Sequence, residues 1–157
     1  MQFERVAEGR GKPVFLAFAE TIPDAFDRAE LPGKFFHLLV CIDDPIDEAR
    51  FRAFARELLK AGAVHVVTIG VAAEAAHDLF DEAIIDGDFF VDESNAIRTI
   101  ELDDEEEGET LEDAARILVA DAFTTEECER DRGAALAIVI GDSSKRDRLR
   151  AALAACG

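Results

Sequence analysis

Basic side chains are scarce in this chain. Lysine occurs four times, at positions 12, 34, 60 and 145, and lysines and arginines together number 17 against 35 aspartates and glutamates. The resulting formal charge of -18 repels nucleic-acid phosphate and anionic membrane, so neither nucleic acid nor a membrane surface is an expected partner. The same charge favours cations or a basic protein partner. An acidic, lysine-poor composition is equally what a salt-rich cell or a GC-rich genome produces.

Cysteine is the next shortage. Cys41, Cys128 and Cys156 are widely spaced, odd in number and without a CxxC pair, which excludes a disulfide framework or zinc cluster and points to a reducing, cytoplasmic setting. Cys41 reads as a small core residue and Cys156 as part of a frayed end. The longest apolar runs, such as Ala134 to Ile140, fall far short of the roughly 20 residues a membrane helix needs. The opening MQFERVAEGRGK lacks the apolar centre of a signal peptide. Phosphate-binding loops are missing as well. GxxxxGK[ST] does not occur, and the third strand is followed by Gly70 alone, where a dinucleotide fingerprint needs three glycines, so no cofactor is expected.

What is present is a foldable alternation. The apolar fraction of 49% and the length of 157 residues suit one domain with a single substantial core. Val14–Phe18, Phe35–Ile42, Ala63–Ile69, Ala96–Leu102 and Ala134–Ile140 read as strands. Phe51, Phe54, Ala55, Leu58 and Leu59 fall at the spacing of one buried helix face, with Asp44 as the expected N-cap, Pro45 at the first helical position and Gly62 as the stop. Further helices are expected from Ala72 to Ala83, from Thr110 with Asp113 in a capping box, and after Asp142 or Ser143. This order predicts an α/β domain, Rossmann-like or flavodoxin-like, with a mostly parallel sheet of about five strands and helices on both faces. The irregular segment Glu20–Lys34 leaves room for the first strand to lie at an edge.

Ligands of such sheets bind at the carboxyl ends of the strands, which directs attention to Asp43, Asp44, Asp142 and Ser143. LLVCIDDP, Leu38 to Pro45, resembles the first strand of bacterial receiver domains, where paired acids hold magnesium. That resemblance implies a phospho-acceptor Asp after a third strand, for which Asp86 is the candidate, and a Lys after a later strand, where Lys145 falls inside a helix. IVIGDSS, ending at Ser144, is similar to the GDS block of small serine esterases, whose Ser is activated by a downstream His. Here all three histidines, at 37, 65 and 77, lie upstream, and a Ser without a base is a weak nucleophile. A helix cap explains Asp142 and Ser143 without catalysis. His37 and His65 sit in strands that would make them neighbours if the strands align. Strand histidines are more often core residues than ligands, and no metal site is expected.

The most unusual stretch is ELDDEEEGE, residues 101–109, in which seven of nine side chains are carboxylates. It matches no calcium-loop spacing. Close to a helix start, Glu109, Glu112 and Asp113 complement the helix dipole, whereas the earlier acids have no such role and read as a solvated loop. The expected function is a non-enzymatic acidic protein-binding domain, an inhibitor, immunity or accessory factor whose Asp103, Asp104, Glu105, Glu106, Glu107 and Glu109 meet a basic partner. The alternative is a receiver-like phospho-acceptor or small hydrolase using Asp43, Asp44 or Ser143, and a homo-oligomer stays open as a third reading. HLLVCID, RTIELDDEEEGETLEDAARILVADAF and the closing AIVIGD together resemble small bacterial single-domain Rossmann-like proteins. That resemblance implies a fold and transfers no functional residue.

Overall fold

The computed structural model describes residues 1–28, 30–43, 45–87, 89, 97–102, 110–121 and 126–157. The strands are β1 (Phe3–Gly9), β2 (Lys12–Ala19), β3 (Phe35–Ile42), β4 (Ala63–Ile69), β5 (Arg98–Glu101) and β6 (Arg132–Ile140). The helices are α1 (Glu48–Ala61), α2 (Ala73–Asp86), α3 (Leu111–Arg116), α4 (Glu126–Arg130) and α5 (Ser143–Cys156), with a π-helical extension of α3 over Ile117–Asp121.

The sheet has six strands in the order β1-β2-β6-β3-β4-β5. Every neighbouring pair is parallel except β1 and β2. The α/β class and mostly parallel sheet agree with the sequence reading, and the expected five strands become six. The additional strand, β1, joins β2 through a two-residue turn in which Arg10 (φ 54°) and Gly11 (φ 74°) are both left-handed. Two successive left-handed residues match the twist of a tight hairpin. It follows that β2 is not an edge strand, since β1 and β6 flank it.

The apolar strands are covered on both sides. All seven residues of β4 are buried, and β3 and β6 are nearly so, as expected where helices lie on both faces. Phe36, Leu38, Val40 and Ile42 point with Phe51, Phe54, Leu58 and Phe80 into the core under α1 and α2. Leu39, Cys41, Val67 and Ile69 point the other way, under α3 and α5, with Leu111, Leu118, Leu149 and Leu153. The alternation in β3 therefore feeds two cores on opposite faces of the sheet from one apolar run.

Local chemistry fixes the helix ends. Asp47, not the expected Asp44, caps α1 by accepting the Arg50 N–H at 3.1 Å, because the helix begins three residues later than the Asp-Pro pair suggested. Asp44 lies outside the described residues. Gly62 ends α1 at φ 113°, as read from the sequence. Thr110 and Asp113 form the expected capping box on α3, and Asp142 caps α5 by accepting the Ser144 N–H at 2.9 Å. Cys156 belongs to the last turn of α5 and is half-buried against the second core, so the C-terminus is docked rather than frayed. No described helix is long and apolar enough to cross a membrane.

Candidate functional site

From β3 the chain moves through α1 to β4 and through α2 to β5, toward one side of the sheet. From β6 it turns into α5, which crosses the opposite face and packs on β1 and β2. The strand pair β3 and β6 is thus where the winding reverses, and its carboxyl ends form the crevice at which open α/β sheets receive ligands. The backbone closes there: the Asp43 N–H reaches the Ile140 carbonyl at 3.5 Å, and the Gly141 N–H donates to the Ala19 carbonyl at 2.9 Å.

Asp43 stands at the centre of this crevice. Its Oδ1 accepts from Lys145 Nζ at 2.7 Å and from the Val71 N–H at 3.1 Å, while Cys41 Sγ lies 4.0 Å from Oδ2. Both charged side chains are largely buried, at 14% exposure for Asp43 and 16% for Lys145. Gly70, at φ 112°, makes the approach of the β4 turn feasible. A Cβ there would meet the Ile42 carbonyl oxygen and, at 3.0 Å, Asp43 Oδ1. Lys145 does lie inside α5, as its position implied, and one helical turn carries its long side chain back over the strand end.

Asp44 lies outside the described residues, and the two other strand-end candidates, Asp142 and Ser143, make no hydrogen bond to Asp43 among the described residues. Asp142 accepts from the Ser144 N–H and, at 2.6 Å, from its hydroxyl. These bonds, with Lys145 nearby, hold its carboxyl below the usual carboxylate range. Ser143 is exposed at the start of α5. Asp86 ends α2 and so lies at the amino edge, across the sheet from Asp43; it cannot serve as a phospho-acceptor beside that pair. Among the described residues no histidine pairs with Ser143: His37 and His65 occupy the third positions of β3 and β4, toward the amino ends, and His77 on α2 faces Asp78 and Asp81 at 3.5 and 3.6 Å. Asp103, Asp104, Glu105, Glu106, Glu107 and Glu109 lie outside the described residues. The two attachments of that segment are described: the Leu102 N–H donates to the Thr68 carbonyl at 2.8 Å, and Thr110 caps α3.

His37 and His65 are register partners on adjacent strands, their ring centroids 5.5 Å apart. Both are buried, at 1% and 2% exposure. His37 Nε2 lies 3.1 Å from Glu129 Oε2 but is not aligned for a hydrogen bond, and His65 Nδ1 has no partner among the described residues. Burial, then Arg132 and His65, lower the His37 pKa to about 3. Burial and Arg98 lower that of His65 to about 4. Glu129 does not offset this at His37, since its carboxylate already faces Arg132 Nε at 3.0 Å and Arg10 Nη1 at 3.4 Å. The pair is neutral, and no group of three or more His, Cys, Asp or Glu side chains suited to a metal occurs among the described residues.

Among the open cavities of the described residues, two flank the sheet and carry several bases. One of about 400 Å³ lies between the start of β1, the end of β2 and α5. Its bases are engaged: Arg150 forks onto Glu4 at 2.8 to 3.1 Å, and Arg146 covers the Phe18 ring at 5.0 Å. The other, of about 650 Å³, lies at the amino ends of β2, β6 and β3.

The chain belongs to the family described as Domain of unknown function (DUF7684), whose model matches residues 14–156. No curated protein matches it.

Proposed function

We propose that this DUF7684 domain is a non-enzymatic, Rossmann-like module that binds a basic protein partner through the carboxyl edge of its sheet. The supporting observation is where the acidic segment is attached. Residues 103–109 run from Leu102, hydrogen-bonded to the end of β4, to the capped start of α3. Both points belong to the edge that also carries Glu20 and Asp142. Bases at this edge are paired internally: Lys145 with Asp43 and Arg50 with Asp24. The edge therefore presents uncompensated negative charge, which steers a Lys- and Arg-rich surface toward it and sets its orientation. An inhibitor, immunity or accessory role fits this chemistry. The test is titration against a panel of basic proteins and Lys/Arg-rich peptides over a range of salt. Binding should weaken steeply with ionic strength and on neutralising Glu105, Glu106 and Glu107 to Gln. Binding indifferent to both would eliminate the electrostatic mode.

A second reading rests on the Asp43–Lys145 pair at the switch point, which keeps strand-end chemistry in play as a phospho-acceptor or small hydrolase. Incubation with acetyl phosphate and magnesium, followed by intact mass, separates the two. A phosphorylated chain lost on Asp43→Asn would support this reading, and an unmodified chain would remove its phospho-acceptor form.

A further inference from the structure

We infer that the amino edge of the sheet carries a binding cleft for a small phosphate-bearing ligand. The cleft of about 650 Å³ is lined by Lys12, Lys34, Arg130 and Arg132 against one carboxylate, Asp131. Such a concentration of bases runs against a composition of 35 acids to 17 bases. The lysines separate cleanly. Lys145 pairs with Asp43, and Lys60 lies 3.7 Å from Glu57. Lys12 and Lys34, by contrast, have no carboxylate within ion-pair distance among the described residues, and both face this cleft. Lys34 Nζ is held 5.1 Å over the Phe35 ring.

Arg132 supplies a fixed donor. Its side chain is 4% exposed and its Nε is engaged by Glu129 at 3.0 Å, while its two terminal nitrogens have no hydrogen-bond partner among the described residues. Those nitrogens open onto the cleft, and a guanidinium with its outer donors free can meet a tetrahedral oxyanion with two parallel bonds. The floor is bare backbone. Gly33, in the bend before β3, and Gly133, in β6, cross so closely that a Cβ on either would overlap the other segment, and neither places a side chain in the ligand's way. The negative end of α1 does not compete for Lys34, because Arg28 takes the Ala61, Gly33 and Lys34 carbonyls.

Ligand size follows from the rest of the surface. Charges farther apart than about 8 Å are largely screened at physiological salt, so the local positive sign governs a small anion. A nucleic-acid polymer would have to lie along the surrounding acidic surface and is repelled.

The experiment is an amide chemical-shift titration of the whole chain with three probes: orthophosphate, diphosphate and ADP. Diphosphate should shift the Gly11, Gly33 and Gly133 resonances, and Lys12→Gln and Lys34→Gln should each weaken its binding about tenfold. Lys60→Gln should leave it unchanged, and unaltered melting temperatures would show that the variants remain folded. Tighter binding of ADP than of diphosphate would identify an organic phosphate as the ligand; equal binding would identify the inorganic ion. Absence of shifts at these glycines, or binding insensitive to both lysine substitutions, would overturn the proposal. So would preferential binding of a single-stranded oligonucleotide.

Discussion

Lys145 Nζ meets Asp43 Oδ1 at 2.7 Å across 102 residues of sequence, tying the first turn of α5 to the carboxyl end of β3. Both groups are largely buried, so removing one leaves the other charged and poorly solvated. Lys145→Met should destabilise the fold by about 1–3 kcal/mol, and adding Asp43→Asn should restore part of that loss. Urea unfolding of the two singles and the double measures the coupling directly. Additive losses would mean that the pair does not act as a unit.

Stability should fall on mild acidification. His37 and His65 titrate at about 3 and about 4 in the folded protein, below the ordinary histidine value of about 6.5. The unfolded chain therefore binds more protons than the folded one throughout that interval. The contribution of the neutral pair is complete above pH 6.5 and is lost progressively as pH falls toward 4 and 3. At pH 5 the loss should be on the order of 2 kcal/mol for each ring. The groups facing them are Arg132, Arg10 and Glu129 around His37, and Arg98 and Glu129 around His65. Melting temperature against pH, compared with a His37→Gln, His65→Gln double variant, is the measurement. An unchanged slope in the variant would assign the effect to other groups.

The glycines should differ sharply from one another. A Cβ on Gly133 would overlap the Pro32 carbonyl, whereas one on Gly11 meets nothing within 4 Å. Gly11→Ala should cost only the left-handed backbone penalty, about 1–2 kcal/mol. Gly133→Ala must push two chain segments apart and should cost more than about 3 kcal/mol or prevent soluble expression. Denaturation midpoints of the two variants, measured side by side, test the ranking.

Thr110→Ala should weaken the start of α3 by about 1 kcal/mol. The hydroxyl accepts the Asp113 N–H at 3.3 Å, and the Asp113 carboxylate accepts the Thr110 N–H at 3.0 Å. Because α3 has only six residues before its π-helical extension, hydrogen exchange of the Glu112 to Ala115 amides should accelerate more than that of α5.

The elements with one dominant signal were legible in the sequence. Phe35–Ile42 is apolar throughout because both of its faces are covered, and α1 shows its stripe because a single face is buried. β1 was not legible. Its Glu4, Arg5 and Glu8 face solvent or ion pairs, and Arg10-Gly11 lacks the Asn-Gly or Asp-Gly pair that marks a tight hairpin. Asp43 is singled out by its place after a strand, whereas Lys145 enters only through the receiver resemblance and its helical position counts against it, since a Lys in a first helical turn has many directions open to it. The alignment of His37 with His65 was recognised only as conditional, because register depends on strand order. The amino-edge cleft was invisible for a related reason: Lys12, Lys34, Arg130 and Arg132 belong to three segments that only the tertiary fold assembles.

The place of β6 has a consequence for how the molecule comes into being. β2 and β3 never pair with each other; each bonds to β6, which is the last strand made. On a ribosome the β1–β2 hairpin and the β3–β4–β5 group must wait as two separate half-sheets, each with an unsatisfied apolar edge, until residues 132–140 emerge. Closure is then a late, long-range event of the kind that slows folding. A chain cut short before Arg132 should carry two unjoined, sticky half-sheets rather than form a smaller domain.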